Sequence, residues 1–414
     1  KRFKPILPAA VILGLIASAI AVYQAGDKLV LADAAGTLVN VRDFGAVGDG
    51  AADDTAAIRA AIDEAQRQGG TVYFPAGKYL VDGDGKAIFM IHKNIRILGN
   101  GYRSQIIVKE TVPETTDILR IHPDVELMRD VFVNHGPIMN FVIDGITILP
   151  ENPKVRSGGS ALALDPSKQA IMRLTVENNW FGELGGRSVR LYNAKDDGSG
   201  LEANRNGYYT SVIQNNYFAG GLDLIHSGDS LNILHNVLVS THPDNTHNGI
   251  DIHSVPGAAH VVIAYNEIDM PGAAIRMTKG NQLKILHNRI VQSRPNTSPE
   301  NAMIALVGKG SDRILHADII GNTIDARDTN AARNLYLSDA SRTKIRDNRF
   351  GLGTEAAIYL AGGVERTEIG PGNAFFNAVG EVPQAEAVTG FDTYASGVSK
   401  DLIMMNDWTD ADPD

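Results

Sequence analysis

The chain contains no cysteine. Disulfides, thiolate zinc sites, iron–sulfur clusters and cysteine nucleophiles are therefore excluded. Aromatic residues make up only 6% of its 414 positions, so a large core must be built from aliphatic side chains. An excess of basic charge is also missing: 38 Lys and Arg stand against 48 Asp and Glu, a formal charge of −10. Duplex nucleic-acid binders are usually basic, so nucleic acid is not an expected partner, and a polyanionic substrate would need a local basic groove. Beyond the first 26 residues no segment is long and apolar enough to span a bilayer. What is present excludes a disordered chain, since 43% of residues are apolar and 21% charged. The length exceeds what one compact core needs, so two domains or one elongated repeat are expected.

Lys1, Arg2 and Lys4 precede an uncharged run from Pro5 to Gly26, whose apolar centre is Ile6 to Tyr23. A positive segment followed by an apolar one is an export signal. Ala17-Ser18-Ala19 and Ala19-Ile20-Ala21 are candidate cleavage sites. Residues 1–26 are expected to act as a signal peptide, or to anchor the chain in an inner membrane through residues 5–25. The remainder would then work outside the cytoplasm: periplasmic, secreted or membrane-anchored. Residues 27–40 read as a linker.

From about residue 140 a short pattern recurs: an aliphatic residue, two variable ones, then Asn. It runs Val176 to Asn179, Ile213 to Asn216, Ile233 to Asn236, Ile263 to Asn266, Ile285 to Asn288, Ile319 to Asn322 and Ile345 to Asn348. An altered copy spans Ile369 to Asn373. By subtraction, successive asparagines are 37, 20, 30, 22, 34, 26 and 25 positions apart. A second short strand lies between repeats: Ala161–Leu164, Val189–Tyr192, Leu222–Ile225, Ile250–His253, Ile275–Thr278, Asn334–Leu337 and Ala357–Leu360. Short strands with an irregular period fit a solenoid whose coils vary in one loop. The expected fold is all-β, a single-domain right-handed parallel β-helix over residues 41–376. The recurring Asn would take left-handed dihedrals at a tight corner and hydrogen-bond the Asn of the next coil.

Asp54 and Thr55, followed by Ala57, Ile58, Ala61, Ile62 and Ala65, give an amphipathic helix with an N-cap, stopped by Gly69-Gly70. A solenoid has an apolar end to cover, and this N-terminal helix is placed to cap it. Residues 377–414 lose the repeat and read as a C-terminal cap or tail.

Three stretches resemble the opening of pectate-lyase-like β-helix proteins. They are Val41-Arg42-Asp43-Phe44-Gly45-Ala46-Val47-Gly48-Asp49-Gly50, Asp53-Asp54-Thr55-Ala56-Ala57-Ile58, and Gly69-Gly70-Thr71-Val72-Tyr73-Phe74-Pro75-Ala76-Gly77-Lys78-Tyr79. That opening is shared by polygalacturonases, rhamnogalacturonan hydrolases, alginate C5-epimerases and phage tailspikes. The resemblance implies a polysaccharide-active β-helix with its groove on one parallel sheet. It does not choose an activity, which must be argued from outward-facing side chains.

Aligning the second strands by apolar alternation puts Arg190, Asp223, Asp251 and Arg276 in one outward column. Tyr192, His253 and Thr278 form the next, with Lys279 at its edge. Asp223 to Asp251 is 28 residues and Asp251 to Arg276 is 25, so each step is one coil. The loops Lys195–Tyr208 and His242–Asn248 lengthen two neighbouring coils and could wall a cleft.

Asn245-Thr246-His247-Asn248-Gly249-Ile250-Asp251 resembles the polygalacturonase strand that begins Asn-Thr-Asp-Gly, but His247 or Asn248 holds the catalytic Asp position. One coil on, Gly272-Ala273-Ala274 stands where that family has Gly-Asp-Asp, so its inverting carboxylates are missing. Gly249–Ser254 is similar to the Asp-Pro-His-Glu strand of alginate C5-epimerases: Asp251 and His253 match, and Ile252 and Ser254 replace Pro and Glu. The Tyr that precedes the Asp in that family is here Asn248, and Tyr192 from another coil would substitute.

The resemblance therefore implies a lyase or C5-epimerase acting on a uronate-containing acidic polysaccharide. Such chemistry needs the carboxylate neutralised, the C5 proton removed, and a proton delivered to the leaving oxygen or to the other face of C5. Arg276 and Arg190 would pair with the carboxylate, His253 would be the base, Asp251 would orient it and Tyr192 would be the acid. His226 would sit in a corner or slide into register with His253. His226, His247, Lys279 and Lys309 are further candidate substrate-binding side chains. Asp223 and Asp251 in register are like charges, which an Arg, a bound Ca²⁺ or a hydrolase-type carboxylate pair would relieve. No cofactor is otherwise required. The alternatives are a glycoside hydrolase using Asp223 and Asp251, and a non-catalytic carbohydrate-binding surface module. A binding module should show aromatic platforms, and Tyr208-Tyr209 is the only obvious adjacent pair.

Overall fold

The computed structural model describes residues 37–122, 140–165, 171–191, 208–226, 229–240, 242–254, 259–310, 312–326, 330–351 and 354–376. Two short strands follow at Val388–Thr389 and Asp407–Trp408. The expected export segment lies outside the described residues.

The repeat pattern folds as expected, into a right-handed parallel β-helix. Successive coils pair in parallel and build three long sheets, two of 13 strands and one of 11 among the described residues. One coil shows the path: Leu174–Glu177 in the first sheet, Trp180–Phe181 in the second, Val189–Leu191 in the third. Alternation decides which residues enter the core. In Leu174–Glu177 the leucine and valine are buried, while Thr175 and Glu177 are half-buried on the outer face. The aliphatic residue of each repeat stacks on its copy in the next coil. Ile143, Val176, Ile213, Ile233, Ile263, Ile285, Ile319, Ile345 and Ile369 form one fully buried ladder. This is how a chain poor in aromatics fills a long interior.

The repeating asparagines form a second ladder at the corner between the first and second sheets. The Asn179 side-chain amide donates to Asn216 Oδ1 at 3.0 Å, and the same bond recurs from Asn216 through Asn236, Asn266, Asn288, Asn322 and Asn348 to Asn373. Each Oδ1 also accepts the backbone N–H of the preceding coil's Asn. The left-handed conformation, expected at Asn itself, belongs to the residue before it: Asn178, Asn215, His235, Tyr265 and His287 have φ between 52° and 58°. The reversal is made one position early. The Asn is then free to point inward, where its amide is buried and fully bonded.

The helix spans Thr55–Gln68 and buries Ile58, Ala61, Ile62 and Ala65. It packs on the first strands of the first and third sheets, Leu38–Asn40 and Ala87–Ile91, and so covers the N-terminal end of the coil. Its cap differs from the expected one. Asp54 holds the cap position, but its carboxylate accepts from Val47 N (2.6 Å) and Gly48 N (3.1 Å). The Asp53 carboxylate accepts from Thr55 N instead. Gly69 ends the helix at φ 69°, and a Cβ on Gly70 would lie 2.4 Å from the Thr37 carbonyl, so the Gly-Gly stop is required twice. The tail contributes more than the expected cap: Val388–Thr389 extends the third sheet and Asp407–Trp408 the second.

Candidate active site on the third sheet

The two expected columns stand on the outer face of the third sheet. Arg190 pairs in register with Asp223, Asp223 with Asp251, and Asp251 with Arg276. Two residues on, Ile225, His253 and Thr278 are neighbours. Adjacent strands are about 4.8 Å apart, so four ionisable side chains crowd a short stretch of sheet. Tyr192 and residues 195–207 lie outside the described residues. His226 pairs with Ser254, and Ile225 takes the place beside His253, so His226 has not slid into register.

Asp251 is the pivot. Its Oδ2 accepts from the Asn248 side-chain amide at 2.7 Å. Its Oδ1 is buried without a hydrogen-bond partner and lies 3.5 Å from His253 Nε2 and 3.7 Å from Arg276. His253 Nε2 is also 3.9 Å from Asp223 Oδ1, while Nδ1 sits 3.0 Å from the Thr278 hydroxyl. One ring nitrogen is thus fixed by Thr278 and the other faces two carboxylates. Arg190 Nε lies 3.8 Å from Asp223, and its side chain is nearly half exposed.

Arg276 departs from its expected role. Its planar fork is taken by Glu300, with Nε–Oε2 at 3.1 Å and NH2–Oε1 at 3.0 Å, so it does not offer that fork to a substrate carboxylate. Burial disfavours its charge, but the hydrogen bonds and charge of Glu300, with Asp251, raise its pKa above the ordinary arginine value. Its remaining arm faces Asp251 at 3.7 Å. Arg190 is the more exposed of the column's two arginines.

His247 is turned inward. Its Nδ1 is 3.2 Å from the Gly220 carbonyl, and burial together with the nearby Arg187 charge lowers its pKa to about 4. The ring is half-buried, bonded to backbone, and its charged form is disfavoured. Lys279 is tied to Asp312 at 2.7 Å. Lys309 is exposed in the turn that bridges to Asp312.

Sequence reasoning missed Glu300 and Arg187. Glu300 sits in a loop ahead of the Ala302–Val307 strand, and no periodicity foretells that this loop folds back onto Arg276. Arg187 reaches the Asn248 carbonyl at 3.3 Å, and burial lowers its pKa while Asp223 and Asp251 oppose that shift. The like-charge conflict between Asp223 and Asp251 is therefore met by cations on several sides. These residues do not fit a Ca²⁺ ion. A hard cation wants six or more oxygen ligands, whereas both carboxylates here face arginine or histidine nitrogen. Among the described residues no set of three acidic or histidine side chains is placed to hold a metal.

A second ionisable cluster lies upstream on the same face. Arg120 binds Asp117 at 3.1 Å and Asp165 at 2.7 Å, and His122 Nδ1 is 3.3 Å from Asp165. Arg120 is in register with Ala163, and Ala163 with Arg190, so this group continues the first column. The Tyr208-Tyr209 pair lies elsewhere, in a small two-stranded sheet with Ile171–Met172.

The protein is thus a parallel β-helix whose third sheet carries an Asp–His–Arg cluster on its outer face. The family model described as rhamnogalacturonase A/epimerase, pectate lyase-like matches residues 38–270, more than half of the chain, and the chain belongs to that family. Mannuronan C5-epimerase AlgE3 of Azotobacter vinelandii is 53% identical over 72 residues, 16% of this chain and 4% of that protein. Plasmin and fibronectin-binding protein A of Streptococcus pneumoniae is 29% identical over 199 residues, 42% of this chain and 26% of that protein. The chain thus spans a small part of the length of these curated relatives. Pre-mature gene product 12 of bacteriophage phi29 shares the fold, with a TM-score of 0.51 at 13% identity over 87% of this chain and 54% of that one.

Proposed function

We propose that the protein is a polysaccharide lyase or C5-epimerase that acts, outside the cytoplasm, on a uronate-containing acidic polysaccharide. The observation that carries this reading is His253, with Nδ1 against Thr278 and Nε2 against Asp251 and Asp223. When Nδ1–H donates to the Thr278 hydroxyl, Nε2 holds a lone pair for the C5 proton. The C5–H bond breaks, the proton moves to Nε2, and the electron pair spreads into the uronate carboxyl group. The imidazolium so formed is stabilised by Asp251 and Asp223, and Arg190 pairs with the carboxylate as its charge grows. From there the C4–O bond breaks with protonation of the leaving oxygen, or C5 is reprotonated on its other face. Tyr192 is the proposed acid. The local identity to a mannuronan C5-epimerase supports this chemistry.

Incubation with a panel of acidic polysaccharides tests the reading. Elimination yields an unsaturated, ultraviolet-absorbing product, and epimerisation changes the C5 configuration seen by NMR without cleavage. A second reading is favoured by the adjacent Asp223 and Asp251, whose strand spacing of about 4.8 Å approaches the carboxyl separation of retaining glycosidases. New reducing ends without unsaturation would establish that hydrolase instead.

A further inference from the structure

We infer that a ridge of three aromatic rings on the second-sheet side of the coil is a carbohydrate-binding surface, separate from the Asp251–His253 site, that takes pyranose units of a polysaccharide. Trp180 and Tyr217 occupy one register position on neighbouring strands of the second sheet, with ring centroids 4.6 Å apart and planes tilted by 34°. Tyr102, from a short turn before the second-sheet strand Ser104–Val108, adds a third ring 5.2 Å from Trp180. Tyr102 is 59% exposed and Trp180 39%, two of only six large hydrophobic side chains that are exposed among the described residues. Contiguous exposed rings mark a place where something apolar docks.

Hollows flank the ridge on both sides. The larger, of about 540 Å³, is floored by Trp180 and Tyr217 and edged by Pro150, Lys154, Glu183 and Asp244. The other, of about 430 Å³, lies between Tyr102, Trp180, Tyr217 and His235. The larger hollow has a fixed wall. Glu183 accepts from Ser240 Oγ (2.5 Å), Asn245 Nδ2 (2.6 Å) and the His242 backbone N–H (3.0 Å), which pins the loop carrying Asp244. A preformed concavity with a ring floor and a few polar groups at its edge suits a small rigid ligand. A pyranose ring matches both parts: its C–H face lies on the aromatic floor and its hydroxyls reach the charged rim. Lys154, Glu183 and Asp244 put charges of both signs on that rim. A chain held here leaves the third sheet open, because Trp180 and Tyr217 belong to a different sheet from Asp223 and Asp251.

The test exploits the two tryptophans of the sequence, Trp180 and Trp408. In Trp408→Phe protein Trp180 is the sole indole reporter. It is titrated with a neutral glucan and with a polyuronate. The expected result is a saturable change in Trp180 emission with at least one of them. Trp180→Ala and Tyr217→Ala should each weaken retention on that polysaccharide in affinity electrophoresis by about tenfold, the size of one good ring contact. Tyr102→Ala, at a highly exposed position, should weaken it without disturbing the fold. His253→Ala should bind normally, and absence of turnover on every uronate would leave these readouts unchanged. No emission change with either polymer, retention indifferent to Trp180→Ala and Tyr102→Ala, or retention lost in His253→Ala would each overturn the inference.

Discussion

Arg276 closes its guanidinium fork on Glu300, with donor–acceptor distances of 3.0 and 3.1 Å, and leaves one arm 3.7 Å from Asp251. Asp251 in turn lies 3.5 Å from the candidate base, His253. Removing Glu300 leaves the half-buried Arg276 cation with only the Asp251 carboxylate, 3.7 Å away. Glu300→Ala should cost about 1.5–3 kcal/mol of stability, the usual size of hydrogen bonds to a charged group. Glu300→Gln, which keeps an acceptor oxygen, should cost less. Urea unfolding of both variants measures the difference, and equal losses would show that the charge of Glu300 is not what matters.

His253→Ala should lower kcat by about 10²–10⁴-fold, the range of general-base contributions, with little change in KM. Thr278→Val should lower kcat by less, because it removes only the group that fixes the ring's tautomer. Arg190→Ala should raise KM and lower kcat together, and Arg190→Lys should not restore either fully, since an ammonium cannot form the planar fork. Asp223→Asn and Asp251→Asn abolishing turnover while His253→Ala is mild would move the assignment to hydrolysis. Steady-state kinetics on a substrate that is turned over decides.

His247 makes the fold sensitive to acid. Its pKa is lowered to about 4 in the folded state, by burial and by Arg187, from an ordinary value of 6.5. The unfolded chain therefore binds a proton there that the folded one refuses. Stability from this group is complete above pH 6.5 and drains away as pH falls toward 4, by up to about 1.4 kcal/mol per pH unit. His247→Gln removes the titration. Its urea midpoint should fall less between pH 7 and about pH 4.5 than that of the native protein. An equal fall in both would place the acid sensitivity elsewhere.

The outward column was legible because strand alternation is strict. Once Ile250 and Ile252 face inward, Asp251 and His253 must face out, and parallel pairing carries that parity from coil to coil. The aliphatic and asparagine ladders were legible for the same reason, since each copy makes the same contact with the next. Contacts that leave the repeat were not. The Glu300 loop, the inward turn of His247 and the meeting of Tyr102 with Trp180 depend on loop paths and on neighbours one or two coils away, for which sequence periodicity carries no information. Arg276 shows the limit most sharply. Its register was readable and its partner was not, and the partner determines its role.

The asparagine ladder offers the last prediction. Asn266 Oδ1 accepts from both the backbone and the side chain of Asn236, and its amide donates to Asn288 Oδ1 and to the Ile233 carbonyl. Asn266→Ala leaves two donors and two acceptors short of partners in a corner that is 1% exposed. Each buried unmet group costs about 1–3 kcal/mol, so a loss of several kcal/mol is expected, reduced where water enters the vacated space. Asn266→Asp is the sharper test. It keeps the acceptor toward Asn236 and the side-chain volume, but it aims an anionic oxygen at the Asn288 oxygen and the Ile233 carbonyl. Two donors become two repulsions with a buried charge, so Asn266→Asp should destabilise at least as much as Asn266→Ala at neutral pH. Lowering the pH toward the carboxyl pKa should narrow the gap, because a protonated acid can donate one of the two lost bonds. Urea unfolding at two pH values checks this. If Asn266→Asp proves as stable as the native protein, the ladder is held by shape and not by its hydrogen bonds.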